Sequence, residues 1–374
     1  MLFNKATLFS LCASIASAKK IFIDNDGLTA LQVLFPLAAG HEIVGISGSF
    51  GSVSLVDAVG QGYDVLENYN LSSCIPHYAG AAFPLIRTAD TFYIWEQLYG
   101  ELVWQGGWDP QYEDSYTWAN FTYNDTTSGA VALINAVREN KDTDPVYIYA
   151  AGMMTTVAQA ISIYPNLTQE AAGLYIMGGM IDFNYAQATT DKSINVDIQT
   201  DINLIQDPEA AQIVLAADWK ESIVGGNVTN YVLPSQDLYD EIIERAGSYE
   251  TIENTDYLSP VLSLISTGNF TENNEQETLP FWDEVVSAYM SYPEILEQSF
   301  DAACAVDTSF NSPYYGNLRL FNKKINVPKS GYKSGNCTLA SVVDQEKFFD
   351  LLVDILFKDW RGYCETGAAT TLVL

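Results

Sequence analysis

Two carboxylates, Asp24 and Asp26, stand two residues apart where the apolar run KIFID meets the turn DNDG. In an extended strand alternate side chains share a face, so Asp-x-Asp at a strand end brings two negative groups together. Such a pair repels unless a proton or a cation lies between them. A hard divalent cation with oxygen ligands, calcium or magnesium, is the usual resolution. A purely local reading competes: Asp-Gly favours turns and Asp favours helix starts. The next acid along the chain is Glu42.

The elements around this pair alternate. KIFID reads as a strand, LTALQVLFPLAAG as a helix with a Gly stop, EIVGISG as a second strand and SVSLVDAVGQGYDVLENYN as an amphipathic helix. CIPHYAG, PVYIYAAG, GLYIMGG and KESIVGGNVT continue the strands, while SGAVALINAVREN, MMTTVAQAISIYP and DPEAAQIVLAAD continue the helices. This predicts an α/β fold: a doubly wound, mostly parallel sheet with helices on both faces. After Pro234 the pattern predicts a helical C-terminal part. Ligands of such sheets bind beyond the carboxyl ends of the strands, where Asp24, Asp26 and several glycines fall. No linker-like tract divides residues 19–374, so one domain is expected.

Residues 1–18 have the features of a secretion leader: Lys5, an apolar run and a terminal Ala16-Ser17-Ala18. Seven N-x-S/T sequons, at Asn70, Asn120, Asn124, Asn166, Asn227, Asn269 and Asn336, predict a glycoprotein with each acceptor facing solvent. Beyond the leader lie Cys74, Cys304, Cys337 and Cys364, which allow two disulfides in one of three pairings, with a C-terminal staple favoured. No cysteine pair has zinc spacing. A secreted, extracellular protein is the expectation, and no other stretch is apolar enough to imply a membrane span. The chain holds 47 Asp+Glu against 17 Lys+Arg, a net charge of −30. That surface repels nucleic-acid polymers and anionic lipid, and leaves small molecules, sugars and cations as partners.

The ordered set KKIFIDNDG, HEIVGISGSFG, IPHYAGAAFPLIR, VYIYAAGMMTTVAQAI, GLYIMGGM, INVDIQTDINLIQDPEAAQIVLA and SIVGGNVT resembles the inosine/uridine-preferring nucleoside hydrolase family, from about Lys19 to about Pro293. The resemblance implies cleavage of the N-glycosidic bond of a small ribonucleoside at a bound calcium. It makes Asp26 a metal ligand and the base that activates water. It makes Asp283 and the Thr155 carbonyl further metal ligands, and assigns Asn195, Asp201 and Asn203 to the sugar. Family members often form dimers or tetramers, so a homo-oligomer is implied.

The chain departs from the family pattern Asp-x-Asp-Pro-Gly-x-Asp-Asp. The second acid pair is absent, with Thr29 polar enough to reach a ribose hydroxyl and Ala30 and Leu31 unable to ligate. Trp282 stands where the family has a histidine that helps the leaving base. Calcium takes six to eight oxygens, so the remaining set implies a site that is weak or lost, with Asp24 or Asp197 as substitute ligands. Help for the leaving base would fall to the aromatic segment, with Trp95, Tyr99, Trp104 and Trp108 as candidates. His41, His77 and Arg87 read as structural. Two functional readings follow: a ribonucleoside hydrolase, or a non-catalytic relative that binds a ribosyl ligand or a partner. A purely structural acidic glycoprotein is a third.

Overall fold

The computed structural model describes residues 18–102, 104–181, 201–248, 250–251, 280–327 and 332–372. The expected leader, except Ala18, and Asn195, Asp197 and Asn269 lie outside the described residues.

The strands are β1 (Lys20–Asn25), β2 (Glu42–Gly48), β3 (His77–Ala79), β4 (Val146–Ala151), β5 (Gly173–Ile176), β6 (Ser222–Val224), β7 (Leu296–Val306), β8 (Leu318–Phe321), the short β9 (Asn326–Val327) and β10 (Tyr332–Lys333), β11 (Gly335–Val343), and the short β12 (Lys358–Asp359) and β13 (Thr370–Thr371). The helices that position the site are α1 (Ala30–Ala38), α2 (Leu55–Asn68), α3 (Ala89–Tyr99), α4 (Gly129–Asn140), α5 (Thr155–Ile163), α6 (Leu167–Glu170), α7 (Ile202–Gln206), α8 (Pro208–Leu215), α9 (Gly226–Thr229), α10 (Gln236–Ala246), α11 (Trp282–Ser291) and α12 (Gln345–Leu356).

The main sheet runs β3-β2-β1-β4-β5-β6-β11-β7-β8. From β3 to β6, and between β6 and β11, neighbours pair in parallel, which is the expected doubly wound arrangement. Its order reverses at β1, between β2 and β4, and such a reversal opens a crevice at the strand ends. Both faces of β1 are covered, which is why it reads as an unbroken apolar run. Ile21 and Ile23 pack with Leu31, Phe35, Val285 and Phe348 of α1, α11 and α12. Phe22 packs on the opposite face with Leu133, Val157 and Val214 of α4, α5 and α8.

The C-terminal part holds the expected helices α10, α11 and α12, together with an antiparallel unit that the periodicity did not reveal. β7 pairs antiparallel with β11 and with β8. In this part, expected to be helical, α11 ends at Ser291, two residues before Pro293, and the chain re-enters the sheet at Leu296. Proline lacks the N–H that a continuing helix requires.

Two disulfides pair the four cysteines. Cys304–Cys337 crosses from β7 to β11 (Cα–Cα 6.0 Å), the C-terminal staple, and Cys74–Cys364 joins residues 290 apart (Cα–Cα 5.5 Å). Asn70, Asn120, Asn124, Asn166 and Asn336 are exposed. Asn227 corrects the expectation that every sequon faces solvent: it is buried, and its Oδ1 accepts from the Ile181 N–H at 2.8 Å. Among the described residues no helix is long and apolar enough to cross a membrane.

Candidate active site

Asp24 and Asp26 sit at the carboxyl end of β1, beside that crevice, and both are buried. Asp24 Oδ1 accepts from Ser47 Oγ at 2.5 Å. Its other oxygen makes no hydrogen bond of ordinary geometry, with the Thr156 and Ser49 hydroxyls nearby. Burial pushes the Asp24 carboxyl up to about 7, with a smaller push from the Asp26 charge. Asp26 Oδ2 accepts from the Ser52 N–H at 2.7 Å, and burial raises this group to about 7 as well. Two glycines make its seat. A Cβ on Gly51 would stand 1.9 Å from Asp26 Oδ2, and one on Gly152 would stand 2.8 Å from Asp26 Cγ. No side chain fits at either position, so the loops after β2 and β4 close on the carboxylate as bare backbone.

The first turn of α11 brings in Asp283 and Glu284. Tyr149 of β4 donates its hydroxyl to the Asp283 carbonyl at 2.7 Å, which fixes the helix start against the sheet. Asp283 Oδ2 accepts from Gln32 Nε2 at 2.6 Å and from Asn25 Nδ2 at 3.3 Å. Burial first, then the charges of Glu284 and Asp26, push Asp283 well above the carboxylate range. The Asp26 charge therefore acts on Asp283. Glu284, also raised by burial, accepts from the Thr29 hydroxyl at 2.6 Å. Thr29, expected to meet a ribose hydroxyl, uses its own hydroxyl inside the protein.

The segment from Asp201 to Asp207 supplies the third wall. Asp201 caps α7 through a hydrogen bond from the Leu204 N–H at 3.0 Å, and burial raises it to about 6. Its charge acts on Asp26. Asn203 turns its amide toward the Met177 carbonyl, at 3.0 Å. Asp207 holds this wall to its neighbours: Oδ2 accepts from Thr155 Oγ1 at 2.5 Å and from the Leu85 N–H at 2.8 Å, and Oδ1 caps α8. Thr155 is the first residue of α5 and fully buried. There a carbonyl normally accepts the amide four residues on.

The aromatic candidates separate by burial. Trp95 and Trp108 belong to a buried cluster with Phe50, Phe92 and Tyr315, and Tyr99 donates its hydroxyl to Asn311 O. Packing against neighbouring rings makes them core rather than free faces for a base. Trp104 alone of the four is open, on a cavity of about 390 Å³ that it shares with Ser52, Leu102 and Tyr112. Ser52, in the wall of this cavity, is also the residue whose N–H holds Asp26. The Trp282 indole N–H is tied to Asn230 Oδ1 at 2.9 Å. Arg87 lies buried over the rings of Phe92, Trp95 and Tyr315, and both histidines are buried, each pushed down to about 4 chiefly by burial. These three remain structural.

Sequence reasoning missed Asn25, Gln32 and Glu284. A signal for Gln32 was present: it is the one polar residue within ALQVLFPLA, three residues after Thr29 in a capping-box spacing.

The residues that the resemblance assigns to calcium do not fit it. Asp283 Oδ2 faces two amide N–H groups and Asp26 Oδ2 a backbone N–H, so the two acids offer a cation one remaining oxygen each. A calcium ion needs six to eight oxygens turned toward one point. Among the described residues no group of three or more His, Cys, Asp or Glu side chains is arranged to hold a metal ion.

The sequence model of the family described as inosine-uridine preferring nucleoside hydrolase matches residues 21–350. An uncharacterized protein of Schizosaccharomyces pombe is 42% identical over 363 residues, covering 96% of this chain and 91% of that one. The pyrimidine-specific ribonucleoside hydrolase RihB of Escherichia coli is 24% identical over 358 residues, covering 93% and 99% respectively. A solved plant nucleoside hydrolase superposes with a TM-score of 0.64 at 19% identity, over 90% of this chain and 98% of its own. By its sequence match over most of its length, the chain belongs to the inosine-uridine preferring nucleoside hydrolase family.

Proposed function

We propose that the chain hydrolyses the N-glycosidic bond of ribonucleosides, with Asp26 as the base that takes a proton from the attacking water. The water oxygen bonds to C1′ of the ribose, the C1′–N bond breaks, its electron pair leaves with the nucleobase, and the base nitrogen takes up a proton. The transition state carries positive charge on the sugar, as in glycoside hydrolysis generally. The observation that supports this reading is the charge balance. Asp24, Asp26, Asp201 and Glu284 are buried and Asp283 is half-buried around one strand end, and none of them takes part in a described ion pair. Carboxyls raised by burial give up their protons more readily beside a positive charge, so this cluster complements a cationic sugar better than a neutral one. A carboxyl raised to about 7 is also suited to accept a proton near neutral pH. The nucleobase occupies the cavity at Trp104 and Tyr112, where stacking replaces the missing histidine. The leader-like residues 1–18, the two disulfides and the exposed sequons support action outside the cell.

A second reading, ligand binding without turnover, is favoured by Thr29 and Asn203, whose polar groups are engaged by Glu284 and Met177. Incubation of the purified protein with inosine, uridine, adenosine and cytidine, with released base followed by chromatography, separates the two. Base release that falls by about 10²-fold or more in Asp26→Asn supports hydrolysis. No release, with calorimetric binding of ribose or nucleoside, supports the second reading.

A further inference from the structure

We infer that a hydrogen-bonded amide network has replaced the family's metal ion in this chain, and that Gln32, Asn25 and Thr29 do the cross-linking that a cation would otherwise do. This inference rests on the assignment of the site to Asp26 and Asp283, and is independent of whether the chain turns a substrate over.

The direction of each amide is fixed by chemistry. Gln32 Oε1 accepts from the Thr29 backbone N–H at 3.3 Å, a group that only donates. Its Nε2 therefore faces the Asp283 carboxyl, to which it donates at 2.6 Å. Asn25 Oδ1 likewise accepts from the Gly27 N–H, which leaves Nδ2 to donate to the Ala151 carbonyl and to Asp283 Oδ2, both at 3.3 Å. Flipping either amide would set oxygen against oxygen and N–H against N–H, so neither can offer its oxygen to an ion shared with Asp283. The Thr29 hydroxyl donates to Glu284 at 2.6 Å. Three donors thus face two acids on α11 from the end of β1 and the start of α1, which are the elements that an ion at this point would join.

Of these groups Asn25, Gln32 and Glu284 are buried, and Thr29 and Asp283 partly so. Asn25 and Gln32 are 1% and 0% exposed, so neither reaches water as an alternative partner. Residues 29–31 have lost the acids of the family pattern, and Gln32, one position further on, supplies N–H groups to the carboxyl those acids would have joined at the ion.

Calcium titration of the intact, disulfide-bonded protein tests this without substrate. Calorimetry up to about 5 mM CaCl2, above the ~10⁻⁴–10⁻³ M range of weak extracellular sites, should give no isotherm. The melting temperature should be the same in CaCl2 and in EGTA. An isotherm, or a melting temperature that rises with calcium, overturns the inference. Gln32→Met keeps the shape and removes the donor. It should lower the melting temperature by about 1–4 °C with no recovery in calcium. An unchanged melting temperature would mean that Gln32 carries no such role. Failure of base release with an equally flat calcium titration would count against hydrolysis and leave this inference standing.

Discussion

Replacing Asp24 by asparagine should flatten part of the pH dependence of stability. Asp24 is fully buried, and burial lifts its carboxyl from 3.8 to about 7. In the unfolded chain the group ionises at the lower value, while in the folded chain it keeps its proton until about 7. A group whose folded pKa is raised contributes stability that is complete below the unfolded pKa and is lost as pH rises through the folded one. Between pH 5 and about 7 the unfolded state releases one proton that the folded state retains. Each pH unit is then worth about 1.36 kcal/mol, so the wild type loses roughly 2.7 kcal/mol across those two units from this group. An asparagine side chain has nothing to ionise and can still accept from Ser47. Equilibrium unfolding in urea at about pH 5, 6, 7 and 8, followed by tryptophan fluorescence, measures the difference. The stability gap between Asp24→Asn and wild type should move by roughly 2.7 kcal/mol in favour of the variant on going from pH 5 to about 7, and then level off. A gap that stays constant with pH would refute the reasoning, because it would mean that Asp24 ionises in the folded chain as it does in water.

Gly51→Ala places a Cβ 1.9 Å from Asp26 Oδ2, so it should cost about 1–3 kcal/mol in unfolding free energy and abolish base release. Retained activity would mean that Asp26 works from another position. The ratio kcat/KM should rise with pH to a plateau, half-maximal near the Asp26 value of about 7, because the base must lose its proton to act. A profile already flat at pH 5 would exclude Asp26 as that base. Cys74→Ser and Cys364→Ser should each cost about 2–5 kcal/mol by opening the same long loop, and the double substitution should cost no more than either. In secreted protein, mass spectrometry should find a glycan lost in Asn70→Gln and unchanged mass beyond the residue difference in Asn227→Gln, since only the first acceptor is exposed.

The amino-acid sequence determined much of this by itself. Apolar runs of strand length alternating with helical periodicity dictated the α/β layers, because each element must bury its own apolar face. The position of Asp24 and Asp26 at the end of KIFID was enough to put them at the carboxyl end of a sheet strand, the end at which such folds take their ligands. What tertiary structure decided is who faces whom. Gln32 meets Asp283 across 251 residues and Thr29 meets Glu284 across 255, contacts that no local pattern encodes. Along the chain, Gln32 is a polar residue in an apolar helix and Thr29 a spare hydroxyl. Only the packing of α11 against β1 and α1 makes them donors to buried acids. The pairing of Cys74 with Cys364 and the re-entry of the chain at Leu296 were open for the same reason. Side-chain partners are set by which buried groups must satisfy one another once the layers have closed, and that demand exists only in three dimensions.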